Sequence, residues 1–291
     1  MTFLERLASG NVLVSDGATG TYLQSHGLEP GGCPEAFNVI RPAIVRKMSE
    51  DYFEAGSDMV LTNSFGGTKF MLGKYGYGER VEEFNCAAAE HANSVSPPSG
   101  IVAGSVGPTG EFVAPLGDVS ESEMKDAFTE QVMALEKGGA DVIVIETMTA
   151  IEEAVLAVKS AKENTKLPVI ATMTFDKGPR GLFTMMGVTP KQAVMELENE
   201  GADVVGSNCG NGIDVMVEVA REMREATSGY TLIHSNAGIP VIRKGQVVYP
   251  EDPDYMASRF CRMVEMGINI VGGCCGTTPD HIKSVCREVK N

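Results

Sequence analysis

The sequence predicts an α/β fold, a single (β/α)8 TIM barrel, and three observations lead there. Short apolar runs alternate with amphipathic stretches along the whole chain, the pattern of repeated βα units. Eight of each are found. A glycine-centred word recurs where four of the helices end, always before an even-numbered strand. At 291 residues the chain suits one such barrel, and residues 1–291 are expected to form one domain. A doubly wound open sheet is the alternative, because a count of strands does not prove closure.

The expected strands lie at 12–15, 59–61, 101–105, 142–145, 169–173, 204–206, 231–233 and 270–272. Helices fit between and after them, at about 43–54, 79–94, 121–137, 150–163, 190–200, 213–226, 254–266 and 279–289. Ser120 followed by Glu123 reads as a capping box. Pro42, Pro190 and Pro279 sit where a first helical turn tolerates proline. The stretch Ser94-Val95-Ser96-Pro97-Pro98-Ser99-Gly100 is linker-like, but neither side of it holds enough strands to close alone. The recurring words are Glu54-Ala55-Gly56-Ser57-Asp58, Lys137-Gly138-Gly139-Ala140-Asp141, Asn199-Glu200-Gly201-Ala202-Asp203 and Glu265-Met266-Gly267-Ile268-Asn269. In each, glycine ends a helix as a left-handed cap and Asp or Asn leads into a strand. Those even strands end in Thr62-Asn63, Glu146-Thr147, Asn208-Cys209 and Cys274-Cys275, so polar and sulfur side chains gather at the C-terminal rim, where barrel enzymes place their chemistry.

Composition sets bounds. A hydrophobic fraction of 43% supplies a large core, and a formal charge of −15 argues against a nucleic-acid partner. No Lys/Arg run suits an anionic membrane, and no stretch reads as a signal peptide or a membrane span. Seven cysteines without disulfide-scaffold spacing fit a reducing setting. The expectation is a soluble, cytoplasmic protein.

The chemistry centres on Gly272-Gly273-Cys274-Cys275-Gly276-Thr277-Thr278-Pro279. Neighbouring side chains of a regular strand point to opposite faces, so both sulfurs reach one centre only if the glycines bend the chain. Cys209, in Ser207-Asn208-Cys209-Gly210, offers a third sulfur. Three thiolates with one open position describe a catalytic zinc site rather than a closed structural one. Its formal charge, +2 with three times −1, makes it a poor activator of water but a good holder of an incoming thiol. A free thiol of pKa about 8.5 is a few per cent ionised at neutral pH, and full ionisation corresponds to about 2 kcal/mol. The inferred reaction is alkylation of a substrate thiol. A vicinal disulfide in a redox module, and an idle barrel acting as a binding subunit, are the competing readings. Cys209 alone reads equally as a small buried hydrophobe, as do Cys33, Cys86, Cys261 and Cys286.

Glu146 and Asp16 each follow an apolar strand and are candidates for binding a substrate ammonium. A rim salt bridge and a turn cap are their plainer roles. Asn208 and Asn236 flank the proposed metal, with loop hydrogen bonds as the alternative. His234 reads as a packed histidine, and His26, His91 and His281 lack metal spacing. Glycine-rich loops at 16–20 and 104–110 lack the Walker ending and suit a carboxylate held by backbone N–H groups.

Taken in order, Asp16-Gly17-Ala18-Thr19-Gly20-Thr21, Thr62-Asn63-Ser64-Phe65, Gly104-Ser105-Val106-Gly107-Pro108-Thr109-Gly110, Glu146-Thr147-Met148, Ser207-Asn208-Cys209-Gly210, Asn236-Ala237-Gly238 and the cysteine-pair segment resemble the homocysteine S-methyltransferase family. Within it, the nearest likeness is to the N-terminal homocysteine-binding barrels of cobalamin-dependent methionine synthases. The resemblance implies one zinc on Cys209, Cys274 and Cys275, with homocysteine sulfur as fourth ligand and methionine as product. It further implies that Asp16 and Glu146 hold the ammonium, that N–H groups at Gly17 and Ala18 hold the carboxylate, and that Thr62, Ser105 and Asn208 line the pocket. Asn236 is expected at the open zinc position before substrate arrives. No Asp-x-His-x-x-Gly cobalamin signature occurs, so methylcobalamin is expected only through a partner, a separate methyl-corrinoid protein. S-methylmethionine or betaine as a direct donor is the alternative. Gly276 stands where users of the former often carry arginine, and the C-terminal extension of users of the latter is absent. The oligomeric state is left open.

Overall fold

The structure, a computed structural model, describes residues 1–243 and 246–290. Eight parallel strands form one sheet: β1 Leu13–Val14, β2 Met59–Leu61, β3 Ile101–Val106, β4 Val142–Met148, β5 Val169–Met173, β6 Val204–Cys209, β7 Tyr230–Ser235 and β8 Ile270–Gly273. From β2 onward each strand pairs with the next, and β8 pairs with β1. The remaining gap, between β1 and β2, is closed by a parallel bridge from Ser15 to Met59. The sheet is therefore a barrel, and the open-sheet alternative falls. The helices after the strands run Pro42–Glu54, Val81–Asn93, Glu121–Lys137, Ile151–Asn164, Pro190–Asn199, Ile213–Ala226, Pro253–Glu265 and Pro279–Val289, each within about two residues of expectation. No helix among the described residues is long and apolar enough to cross a membrane.

The repeated words have a mechanical role. Gly56, Gly139, Gly201 and Gly267 all have φ between 92° and 107°, the left-handed closure of a helix. Two residues on, Asp58, Asp141, Asp203 and Asn269 each accept a hydrogen bond through a side-chain oxygen from the N–H of the preceding odd strand. The donors are Val14, Val102, Val169 and Thr231, at 2.8–2.9 Å. Each Asp or Asn N–H returns a bond to the carbonyl of that same residue, at 2.7–3.1 Å. Four clamps thus fix the odd–even strand pairs at the N-terminal end, including the short β1–β2 seam.

Strand alternation sorts the interior into layers. Leu13, Met59, Ile101, Val142, Ile170 and Val204 fill the lower barrel as one apolar cluster. The same inward rows end in Ser15, Ser105, Glu146, Thr172, Asn208 and His234, all buried. Outward residues such as Val60, Val102, Ile143 and Val205 pack beneath the helices in the larger core.

Several elements escaped the sequence reading. A helix Phe3–Ala8, capped by Thr2, inserts Phe3 and Leu7 into the lower barrel cluster and plugs it. Short helices form at Thr19–Ser25, Phe37–Ile40 and Lys69–Gly73. Hairpins pair Asp176–Gly178 with Gly181–Phe183 and Val241–Arg243 with Gln246–Val248. These pieces are too short to show a helical or strand period.

Candidate metal centre and substrate cavity

β6 ends in Cys209, whose φ of 70° is left-handed, a conformation that costs a non-glycine residue about 1–2 kcal/mol. Gly210 follows with φ 74°, and this turn carries the Cys209 side chain out of the strand's alternation. Across the barrel seam, β8 stops at Gly273 and the chain enters a turn. The Thr277 N–H donates to the Cys274 carbonyl at 3.1 Å, and Gly276 takes φ 82°, as the third residue of a type II turn requires. Cys274 and Cys275 are the first two residues of that turn, so the strand rule that would separate their sulfurs no longer applies. Bonds from Cys274 N–H to the Ser235 carbonyl (2.8 Å) and from Ala237 N–H to the Cys275 carbonyl (2.9 Å) anchor the turn to β7.

The sulfurs of Cys209, Cys274 and Cys275 lie within 4.8 Å of one another, and all three are free thiols. Sulfurs around tetrahedral zinc, at about 2.3 Å from the metal, stand roughly 3.8 Å apart. Cys209 receives the thiol protons of Cys274 and Cys275 and an Asn236 N–H, which holds it far below the usual thiol range. The same sharing with Cys209 pushes Cys275 up to about 11. Asn236 Nδ2 donates to Cys209 Sγ at 3.5 Å and to the Gly210 carbonyl at 2.7 Å. Its Oδ1 is buried with no hydrogen-bond partner among the described residues. The donor set fits zinc.

A cavity of about 250 Å³ adjoins the sulfurs. Gly17, Ala18, Thr62, Ser105, Glu146 and the three cysteines all border it, and among the described residues no lysine or arginine does. Glu146 enters on the inward row of β4, and an irregularity lies beside it: the β4–β5 register shifts between Ile145 and Met148, and Thr147 adopts φ 62°. Ser105 Oγ donates to Glu146 Oε1 at 2.5 Å, and Asn208 Nδ2 to Oε2 at 3.2 Å. Burial nevertheless raises Glu146 to about 7. Thr62 Oγ1 accepts from Ser105 N–H at 3.0 Å and shares a proton with Ser64 Oγ at 2.6 Å.

Three expected site residues sit behind this lining. Asp16 is buried, accepting from Leu61 N–H at 2.7 Å and Ser15 Oγ at 3.1 Å, and burial raises it to about 7. Asn208 spends its amide on protein: Oδ1 accepts from Thr147 N–H and Thr172 Oγ1, both at 2.7 Å, and Nδ2 also donates to Thr147 Oγ1 at 2.7 Å. It orients Glu146 and stabilises the Thr147 turn. Asn236 faces Cys209, as described. The Ala18 N–H already donates to Thr277 Oγ1 at 3.2 Å, so its approach to a carboxylate requires that weak bond to open.

The sequence reading missed Glu35 and Phe65 as cavity residues and took His234 as packing, although it borders the cavity. Glu35 is held by Gly66 N–H at 2.7 Å and by the Cys33 thiol at 3.3 Å. It lies in the single 3-10 turn Pro34–Ala36, too short to show a period that would betray its burial. His234 carried a usable signal, since it falls on the inward row of β7 in register with Asn208 of β6.

Fold and site together define a TIM-barrel protein with three convergent cysteines, a candidate metal centre, at its C-terminal rim. The profile of the homocysteine S-methyltransferase family matches residues 13–289, and the chain belongs to that family. It is 34% identical over 311 aligned residues to the methionine synthase of Mycobacterium tuberculosis, covering 100% of this chain and 26% of that protein. The methionine synthase of Mycobacterium leprae is likewise 34% identical, with 98% of this chain and 25% of that protein covered. The chain thus spans about a quarter of these relatives. Among solved structures, the homocysteine methyltransferase MmuM from Escherichia coli in its metallated form superimposes with a TM-score of 0.81 at 20% identity, over 98% of each chain. That likeness shows the shared fold.

Proposed function

We propose that this chain is a zinc-dependent S-methyltransferase that converts homocysteine to methionine, with the methyl group delivered by a separate methyl-corrinoid protein. The observation that carries the reading is the convergence of three free thiols beside a cavity holding a buried carboxyl group. Cys209, Cys274 and Cys275 would hold one zinc, with Asn236 Oδ1 available as its fourth donor until substrate arrives. Zinc bound there supplies a Lewis-acid centre that keeps a substrate thiol ionised at neutral pH while leaving it nucleophilic.

The rest is positioning. Glu146 takes the substrate ammonium, held in place by Ser105 and Asn208. Asp16 adds negative charge behind the wall. Backbone N–H groups at Gly17 and Ala18, at the entrance of a short helix, suit the carboxylate, and Thr62 braces Ser105. The substrate gives up its thiol proton on binding. A sulfur–carbon bond then forms as the methyl group's bond to its donor breaks. The loops after β1, β3, β5 and β7 carry Ile40, Leu116, Met185 and Ile242 at 67–81% exposure on the rim side. A macromolecular donor would cover exposed apolar side chains of this kind, which a small onium ion would leave in water. Seven free thiols support a reducing, cytoplasmic location.

Metal analysis with a donor panel tests this. About one zinc per chain, lost in Cys275→Ser, and methionine formed from homocysteine with methyl-corrinoid protein are expected. Turnover with S-methylmethionine or betaine alone would reassign the donor. A metal-free protein with a reducible Cys274–Cys275 disulfide would replace methyl transfer by redox chemistry.

A further inference from the structure

His234 is the one inward residue of the upper barrel layer whose polarity the fold does not use. It is 2% exposed, and its Nε2 is fully buried with no hydrogen-bond partner among the described residues. The other polar residues of that layer are bonded: Ser105 to Glu146, Asn208 to Thr147, Thr172 to Asn208 and Ser15 to Asp16. An unpaired buried polar group costs stability, and a phenyl ring would fill the same space without that cost. Gly272 of β8 leaves the ring its room, since a Cβ there would stand 3.0 Å from His234 Cδ2 and 2.8 Å from Ser15 Cβ. The ring borders the cavity together with Glu146, and among the described residues no lysine or arginine borders it.

We propose that the imidazole of His234 accepts a hydrogen bond from the substrate ammonium, as a second ligand beside Glu146. A neutral imidazole always keeps one bare nitrogen, an acceptor whichever tautomer is present. An ammonium brings three N–H donors, more than the Glu146 carboxylate can serve from one side. A substrate carboxylate at this place would instead meet Glu146 and, behind it, Asp16. The inference rests on the homocysteine reading and adds a residue that selects amino thiols over plain ones.

The test compares homocysteine with 4-mercaptobutanoate, the same thiol acid without its amino group. Binding is followed calorimetrically in the zinc-loaded wild type and in His234→Phe. Wild type should prefer homocysteine, and the variant should lose roughly ten- to a hundredfold of that preference, the worth of one hydrogen bond to a charged group. His234→Gln, which keeps an acceptor, should restore part of it. In the ligand-free chain His234→Phe should melt at or above the wild-type temperature, because an apolar ring replaces an unpaired polar one. An undiminished preference in His234→Phe overturns the proposal. So does a fall in Tm of more than about 4 °C, which marks a structural imidazole. If His234→Phe does not fold, the same comparison in His234→Leu decides. A wild type that binds zinc and both thiols equally refutes the ammonium contact alone, whereas one that binds neither thiol refutes the homocysteine reading beneath it.

Discussion

Glu146 shows how much of the site is decided by single side chains. Its carboxylate is inward because Glu146 continues the Val142–Val144 row of β4, and it keeps its place through Ser105 and Asn208. Glu146→Gln is expected to weaken homocysteine binding by roughly 1–3 kcal/mol, the range for an unpaired buried partner. Unchanged affinity by calorimetry would remove Glu146 from the ammonium site. Asp16 carries a pH signature. Burial lifts its folded-state pKa to about 7, above the unfolded value near about 4. The folded chain then binds the proton more tightly, so this group's contribution to stability is present below about pH 4 and is lost as pH rises through about 7. In the metal-free protein, Asp16→Asn should therefore gain stability relative to wild type between pH 5 and pH 8. Parallel melting curves across that range would contradict the assignment.

At the scale of elements, the four Asp/Asn clamps make the barrel a set of stitched strand pairs. The fourth copy uses Asn269 where the others use Asp, so the acceptor oxygen rather than the charge does the stitching. Asp141→Asn should be nearly neutral, while Asp141→Ala should cost about 1 kcal/mol, both read from chemical denaturation. Equal losses would mean that charge matters. The same scale explains the cysteine pair. Gly276 cannot take a side chain, because its φ is 82° and a Cβ would stand 2.0 Å from Tyr249 Cγ. Gly276→Ala should disturb the turn that aligns Cys274 with Cys275 and lower the zinc content of the purified chain. Full zinc retention would show that the turn adapts.

At the scale of the molecule, the two ends of the barrel are separable. The Phe3–Ala8 helix seals the lower end against Leu13, Ile101 and Ile270, while the three-cysteine cluster and the cavity lie at the opposite rim. Leu7→Ala should cost about 2–5 kcal/mol, as for a buried leucine, and leave zinc stoichiometry unchanged. Zinc loss in that variant without unfolding would reveal coupling between the ends.

Alternating apolar runs, proline at first helical turns and the repeated glycine–aspartate words were enough to name eight strands and eight helices, because periodicity and capping are local properties of the chain. The cysteine pair between glycines was legible for a similar reason: adjacent sulfurs are hard to use except at a bend. The plugging helix, the rim hairpins and the hydrogen-bond commitments of Asp16, Asn208 and Ala18 were not legible. Each depends on contacts between residues far apart in sequence, such as Ala18 with Thr277 or Asn208 with Thr147. The sequence by itself determined which residues could bind a metal and on which strands they stand. Only the tertiary structure decided that strands β6 and β8 bring those sulfurs within 4.8 Å, because closure of the barrel, not any local signal, sets the distance between strand ends.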